Sequence, residues 1–183
     1  MSKKRQLLID TALTLFYNHG IHAIGVNEIL KRSGVAKRTL YSHFNSKEEL
    51  LLAALEARHR LFIQWLESKL SNAKNDLEVT TVLFQALENW FDNNEPRLGE
   101  FRGCFFINTC GEYSDVSCEI RKLCEQHKSK VRQVIADKLS IDNQDNVAAL
   151  CILMEGAIVT AQVSGKNTLL IEDCINASQA MLR

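Results

Sequence analysis

The sequence predicts an all-α protein of about nine helices: a three-helix module at the N-terminus followed by a larger helical bundle. Nearly every segment repeats its apolar residues with helical period, and none alternates in the manner of a strand. Among 183 residues there is one proline, Pro96, and eight glycines, which leaves room for long uninterrupted helices. The apolar fraction of 46% is enough for a sizeable core.

Helix 1 is expected over residues 3–19, with Leu8, Ala12, Leu15 and Phe16 as its apolar stripe and Gly20 as its stop. Helix 2 follows over 26–33, with Gly25 at the N-cap. Gly34, Val35 and Ala36 make a tight turn before a short helix 3 over 37–44. Ser46 and Glu49 have capping-box spacing and open helix 4, which runs to about residue 70. Residues 72–75 are a polar break. Asp76 is then read as the N-cap of helix 5, over 77–92. The longest loop, 93–102, holds the proline. Helix 6 is expected over 104–112 and helix 7 over 115–139, the latter with Val116, Ile120, Leu123, Val131, Val134 and Ile135 on one face. Helix 8 is expected over 143–164, stopped by Gly165, and helix 9 from Thr168 to the terminus. No internal repeat or low-complexity tract occurs. The domain division read from this order is 1–47, a DNA-binding module, and 48–183, an effector-binding and dimerisation body.

Net charge is zero, but residues 1–50 carry +4 and the remainder −4. A basic end on an acidic body suits a polyanion partner for the basic end only. Residues 26–44 read as helix, glycine-containing turn, helix, an arrangement that presents its second helix to the DNA major groove. Ile29, Val35, Leu40 and Phe44 face inward, while Lys37, Arg38, Tyr41, Ser42 and His43 occupy the other face of helix 3. Cations, hydroxyls and an imidazole on one short exposed helix are donors suited to phosphates and base edges. Lys47 lies at the start of helix 4, where the macrodipole disfavours a lysine and main-chain N–H groups favour a phosphate.

Residues 25–50 resemble the DNA-binding domain of TetR-family repressors. The resemblance rests on Gly34-Val35, on Thr39-Leu40-Tyr41-Ser42-His43-Phe44 and on Ser46-Lys47-Glu48-Glu49-Leu50. It is strong over about residues 5–52. It implies an all-helical homodimer, a palindromic double-stranded operator, and release by a small molecule bound in the C-terminal domain. It further implies that Thr39, Tyr41, His43 and Lys47 contact the DNA backbone, with Lys37, Arg38 and Ser42 better placed to read bases. Gly25 and Ala36 depart from the pattern, which often has Thr at the first place and Ser or Thr at the second. Glycine is an acceptable N-cap and alanine a poor one, so operator preference is the property these departures touch.

Helix 8 is apolar on nearly every side, and a helix of that kind needs two partners. Either it is the central helix of a monomer, or one side faces a second copy through Ala157, Ile158 and Ala161, joined by Ile171 and Ile175 of helix 9. Its one charge, Glu155, either holds a ligand's amine or hydroxyl or pairs with a lysine or arginine. The aromatic residues of helices 4–6, with Trp65, Phe105 and Tyr113 foremost, are core side chains or the lining of an effector pocket. His127 falls on the apolar face of helix 7 as a core histidine. With Cys124 it supplies two metal ligands and no second pair, so no metal is expected, and no glycine-rich phosphate loop calls for a cofactor.

The six cysteines form no CxxC pair, and a reduced, cytoplasmic setting fits them. The N-terminus does not read as a signal peptide. No run of about 18 uncharged apolar residues exists, and the longest candidate, 147–161, contains Glu155, so no membrane segment is expected. Gly103 and Cys104 follow Arg102 at the head of helix 6, a place where a helix N-terminus and a cation favour thiolate. The Gly-Cys pair also resembles one branch of the family in which some members sense reactive compounds through cysteine, with Cys110 and Cys118 as resolving candidates. The alternative is a packed thiol beside a reversible small-molecule pocket. Two other functions compete: a thiol-dependent enzyme, for which no oxyanion hole or nucleophile elbow is visible, and an interaction module that no longer binds DNA, against which the basic face of helix 3 argues.

Overall fold

The computed structural model describes residues 2–165 and 169–182, and all regular structure among them is helical. The chain forms two compact units, one of Met1–Arg60 with Phe105–His127, the other of Leu61–Cys104 with Lys128–Arg183.

In the first unit, α1 (Lys3–His19) and α2 (Val26–Ser33) have the bounds expected from sequence. Gly20 ends α1 at φ +86°, its N–H bonded to the Phe16 carbonyl, and Gly34 ends α2 in the left-handed region with its N–H on Leu30. Helix α3 (Lys37–Tyr41) is shorter than the expected 37–44: the His43 N–H closes onto the Leu40 carbonyl, three residues back, instead of continuing the four-residue spacing. Helix α4 (Lys47–Leu70) opens on the expected cap: Ser46 Oγ accepts the Glu49 N–H at 3.1 Å, while the Glu49 carboxylate reaches back to the Asn45 N–H. Leu8, Phe16, Ile21, Ile29, Leu40, Phe44 and Leu50 are almost fully buried and fix α1, α2 and α3 to one another. The unit is completed by α6 (Phe105–Glu112) and the first part of α7 (Glu119–Ala136). Helix α7 starts later than expected, because the Asp115 carboxylate takes both the N–H and the hydroxyl of Ser117 and holds a turn there. Val116 therefore lies outside the helix and is 71% exposed, not on its apolar face.

In the second unit, α5 (Asp76–Phe91) packs on α8 (Val147–Ser164) and α9 (Leu170–Met181), which also pack on each other. The cap of α5 is Asn75, whose side chain accepts the Glu78 N–H at 2.9 Å, and not Asp76. The Asp76 carboxylate instead accepts the N–H and hydroxyl of Ser140 and the Asn143 amide. Residues Ile141–Asn146 form a 3-10 turn, so α8 begins at Val147, four residues later than expected. A second 3-10 turn, Pro96–Leu98, interrupts the long loop. Thr168, the expected start of the last helix, lies outside the described residues.

The stretch Asp142–Ser164 is long and apolar enough to cross a membrane by length and composition. That corrects the expectation that Glu155 would disqualify it; the side of α8 carrying Leu150, Met154, Ala157, Ile158 and Ala161 is buried within the chain.

Candidate nucleic-acid interface

The short helix α3 is anchored by Leu40, with Phe44, Val35 and Ile29 buried around it. The anchoring turns Lys37, Arg38, Tyr41 and Ser42 outward, with Tyr41 45% exposed, while Thr39 and His43 are half-buried. Lys37 and Arg38 have no ion-pair partner among the described residues, whereas Arg32 on α2 is tied to Glu28 at 2.9 Å. Ser42 donates its hydroxyl to the Thr39 carbonyl at 2.8 Å, which leaves its oxygen free to accept. The guanidinium of Arg5 lies over the Phe44 ring, 5.0 Å from its centroid. Lys47 is placed differently from a free phosphate contact: its ammonium donates to the Ile21 carbonyl at 2.6 Å and lies 5.8 Å from the centroid of the Phe16 ring.

The effector candidates fall into separate groups. Cys104 and Glu155 meet at Lys128, a residue the sequence reading did not single out. The Lys128 ammonium lies 2.7 Å from both Glu155 oxygens and 3.2 Å from the Cys104 sulfur. Burial works against that charge, but the Cys104 and Glu155 groups outweigh it and hold the lysine above its ordinary range. Glu155 is thus the paired carboxylate of the two readings. Cys104 itself is buried, 6% exposed. Burial pushes the neighbouring Cys151 thiol up to about 11. Gly103 has φ +79°, a conformation that favours glycine before this cysteine, and the end of the Gln162 side chain occupies the space a Cβ would take.

Trp65 belongs to an aromatic cluster with Phe62 and Trp90, continued by Phe91 and Phe101. Phe105 and Tyr113 are in the other unit, where Phe105 packs edge-on against Tyr17 and Tyr113 stacks on His22. His127 is buried as expected, face to face with Phe106 at 3.6 Å, and its Nδ1 lies 3.1 Å from that of His59. No group of three or more metal-ligating side chains occurs among the described residues.

Ala157, Ile158, Ala161 and Ile171 are buried within their own chain, and Ile175 is half-buried. The opposite face of α8 is the open one, with Ile152 73%, Val159 41% and Val163 81% exposed beside an exposed Gly156. The 152-156-159-163 spacing makes a continuous apolar stripe.

Residues 8–54 match the family described as "Bacterial regulatory proteins, tetR family". That match covers the DNA-reading part of the chain, which carries the TetR-family DNA-binding domain. That family is one of DNA-binding transcriptional regulators of helix-turn-helix type, not of enzymes. Over 136 residues it is 29% identical to the uncharacterized HTH-type transcriptional regulator YxaF of Bacillus subtilis (strain 168), covering 74% of this chain and 69% of that protein. Over 117 residues it is 30% identical to the HTH-type transcriptional repressor ComR of Escherichia coli (strain K12), covering 63% of this chain and about half, 54%, of ComR. Among solved structures, the TetR-family regulator SCO4454 from Streptomyces coelicolor superposes with a TM-score of 0.84 at 24% identity, over 100% of this chain and 89% of that one. The chain therefore shares the all-helical fold of that TetR-family regulator and carries the family's DNA-reading motif.

Proposed function

We propose that the chain is a cytoplasmic repressor that binds a palindromic operator as a homodimer and is released by a small-molecule or reactive-electrophile effector. The observation that carries this reading is the outward face of α3, where Lys37, Arg38, Tyr41 and Ser42 are exposed on a helix fixed by fully buried Leu40. Lys37, Arg38 and Ser42 read base edges, while Thr39, Tyr41 and His43 hold the DNA backbone, joined by Lys47 when its ammonium leaves the Ile21 carbonyl. Residues 1–47 form the DNA-binding part and 48–183 the effector-binding and dimerisation part. The dimer forms through the Ile152–Val163 stripe of α8, whose exposure in a single chain leaves apolar surface for a second copy to cover.

The effector acts at Cys104. Its sulfur sits against the Lys128 ammonium, a donor that can also hold the carbonyl oxygen of an incoming electrophile. Alkylation of the sulfur would remove an acceptor of Lys128 and add bulk where Cys104 is 6% exposed. Two measurements test the reading: recovery of an inverted-repeat sequence from a random duplex pool, and release of that duplex by a thiol-reactive electrophile. Retention of no preferred sequence, or release that is insensitive to the electrophile and to every small molecule screened, would count against it.

A further inference from the structure

The unit that contains the DNA-reading helices also takes in residues 105–127, so α6 belongs with them although sequence order places it in the regulatory body. The joint is Glu112, the last residue of α6. Its Oε1 accepts the Ile21 N–H at 2.7 Å, and its Oε2 accepts the His22 N–H at 2.6 Å and faces His22 Nδ1 at 3.0 Å. The His22 ring stacks on Tyr113, with centroids 5.2 Å apart. Gly20 makes the arrangement possible: at φ +86° it ends α1 and turns the next two N–H groups toward one carboxylate. Ile21 is fully buried, and its carbonyl is the one that accepts Lys47 of α4. The loop between α1 and α2 is therefore gripped by α6 through its N–H groups and by α4 through its carbonyl. Hydrogen bonds to a carboxylate are short and strong, and two side by side define a geometry as well as an energy.

We propose that Glu112 is a positioning residue for operator binding: its carboxylate latches α6 to the loop between α1 and α2 and so sets the angle at which α2 carries α3 to the DNA. The latch touches no DNA. It acts because α2 leaves that loop directly and α3 is packed onto α1. The proposal rests on the chain being a duplex-binding regulator, and it adds the residue that connects the regulatory sequence to the reading head.

The test compares full-length wild type with Glu112→Gln and Glu112→Ala. The readouts are affinity for the selected duplex at several salt concentrations, amide hydrogen exchange at Ile21 and His22, and thermal melting. The latch predicts faster exchange at both amides and an affinity reduced about tenfold in Glu112→Ala, with the salt slope unchanged because the phosphate contacts are intact. Glu112→Gln keeps one acceptor oxygen and should fall between. Faster exchange with wild-type affinity in Glu112→Gln overturns the latch, and that variant decides the matter if Glu112→Ala does not fold. Affinity that falls only in proportion to the unfolded fraction also overturns it, since Glu112 then serves stability alone. A wild-type chain that retains no duplex overturns the DNA-binding reading instead.

Discussion

Replacing Val159 by aspartate should dissociate the proposed homodimer without unfolding the chain, whereas the same change at Ile158 should unfold it. The two residues are neighbours on α8, yet Val159 is 41% exposed in the single chain and Ile158 only 2%. The exposed parts of Ile152, Val159 and Val163 amount to about two aliphatic side chains per protomer. At about 1.5–3 kcal/mol for each side chain fully buried, a two-fold interface gains about 6–12 kcal/mol from the stripe. Association itself costs about 4–15 kcal/mol, so little of that gain is surplus. An aspartate at 159 places one unpaired carboxylate in each copy, at several kcal/mol per ion. The dimer dissociation constant should rise at least a thousandfold, equivalent to about 4 kcal/mol. Sedimentation equilibrium at micromolar concentration measures the change, and far-ultraviolet circular dichroism on the same samples reports the fold. A fully dimeric Val159→Asp protein would refute the assignment of this face. A folded, monomeric Ile158→Asp protein would show that the buried face had been misassigned.

On the DNA side, Arg38→Ala should cost about 1–3 kcal/mol and relax preference at one base position, and selection with the variant would reveal equal losses on all sequences if Arg38 reads no base. Lys47→Ala should weaken binding uniformly and shallow the salt slope by about one if its ammonium leaves the Ile21 carbonyl for a phosphate; an unchanged slope would confine Lys47 to holding the loop. For pH, Asp76 and Glu112 are partly desolvated, which raises their pKa, but hydrogen bonds from Ser140 and Asn143 to the first, and from Ile21 and His22 to the second, outweigh it and depress both. A depressed carboxylate stabilises the folded state above its unfolded value and loses that contribution as pH falls through the folded one. Melting temperature should therefore decline below about pH 4.5, less steeply in Asp76→Asn and Glu112→Gln; identical acid profiles would contradict the pairing. Cys104→Ser should make operator binding resistant to a maleimide, and release of that variant as readily as wild type would remove Cys104 as the sensor.

The ends of α1 and α2 were legible because glycine stops them, Gly20 and Gly34 each taking a positive φ that other residues resist. The end of α3 was not, because Phe44 keeps the helical spacing from Leu40 while the N–H of His43, just before it, is taken up in a three-residue turn. Residues Asn75 and Asp76 are both competent caps, and only the nearness of Ser140 and Asn143, more than sixty residues away, decides which one caps. Helix α8 shows the limit of periodicity: with apolar residues all round, the pattern said that two partners were needed but not which face met which. Ala157 and Ile158 thus looked like interface residues and are core. Glu155 was visible as a charge needing a partner, but its lysine lies 27 residues away on another helix. Glu112 gave no sequence signal, being one more acidic residue at a helix end whose role depends on a contact 91 residues distant.

The most direct test of the account is the salt dependence of binding to the inverted-repeat duplex recovered by selection with the wild-type protein. The account predicts one dimer per repeat, a linear fall of log affinity with log salt, and a steep preference for the repeat over random duplex that the double variant Lys37→Ala/Arg38→Ala abolishes while leaving the dimer intact. Equal affinity for repeat and random duplex, unchanged in that variant, would contradict it.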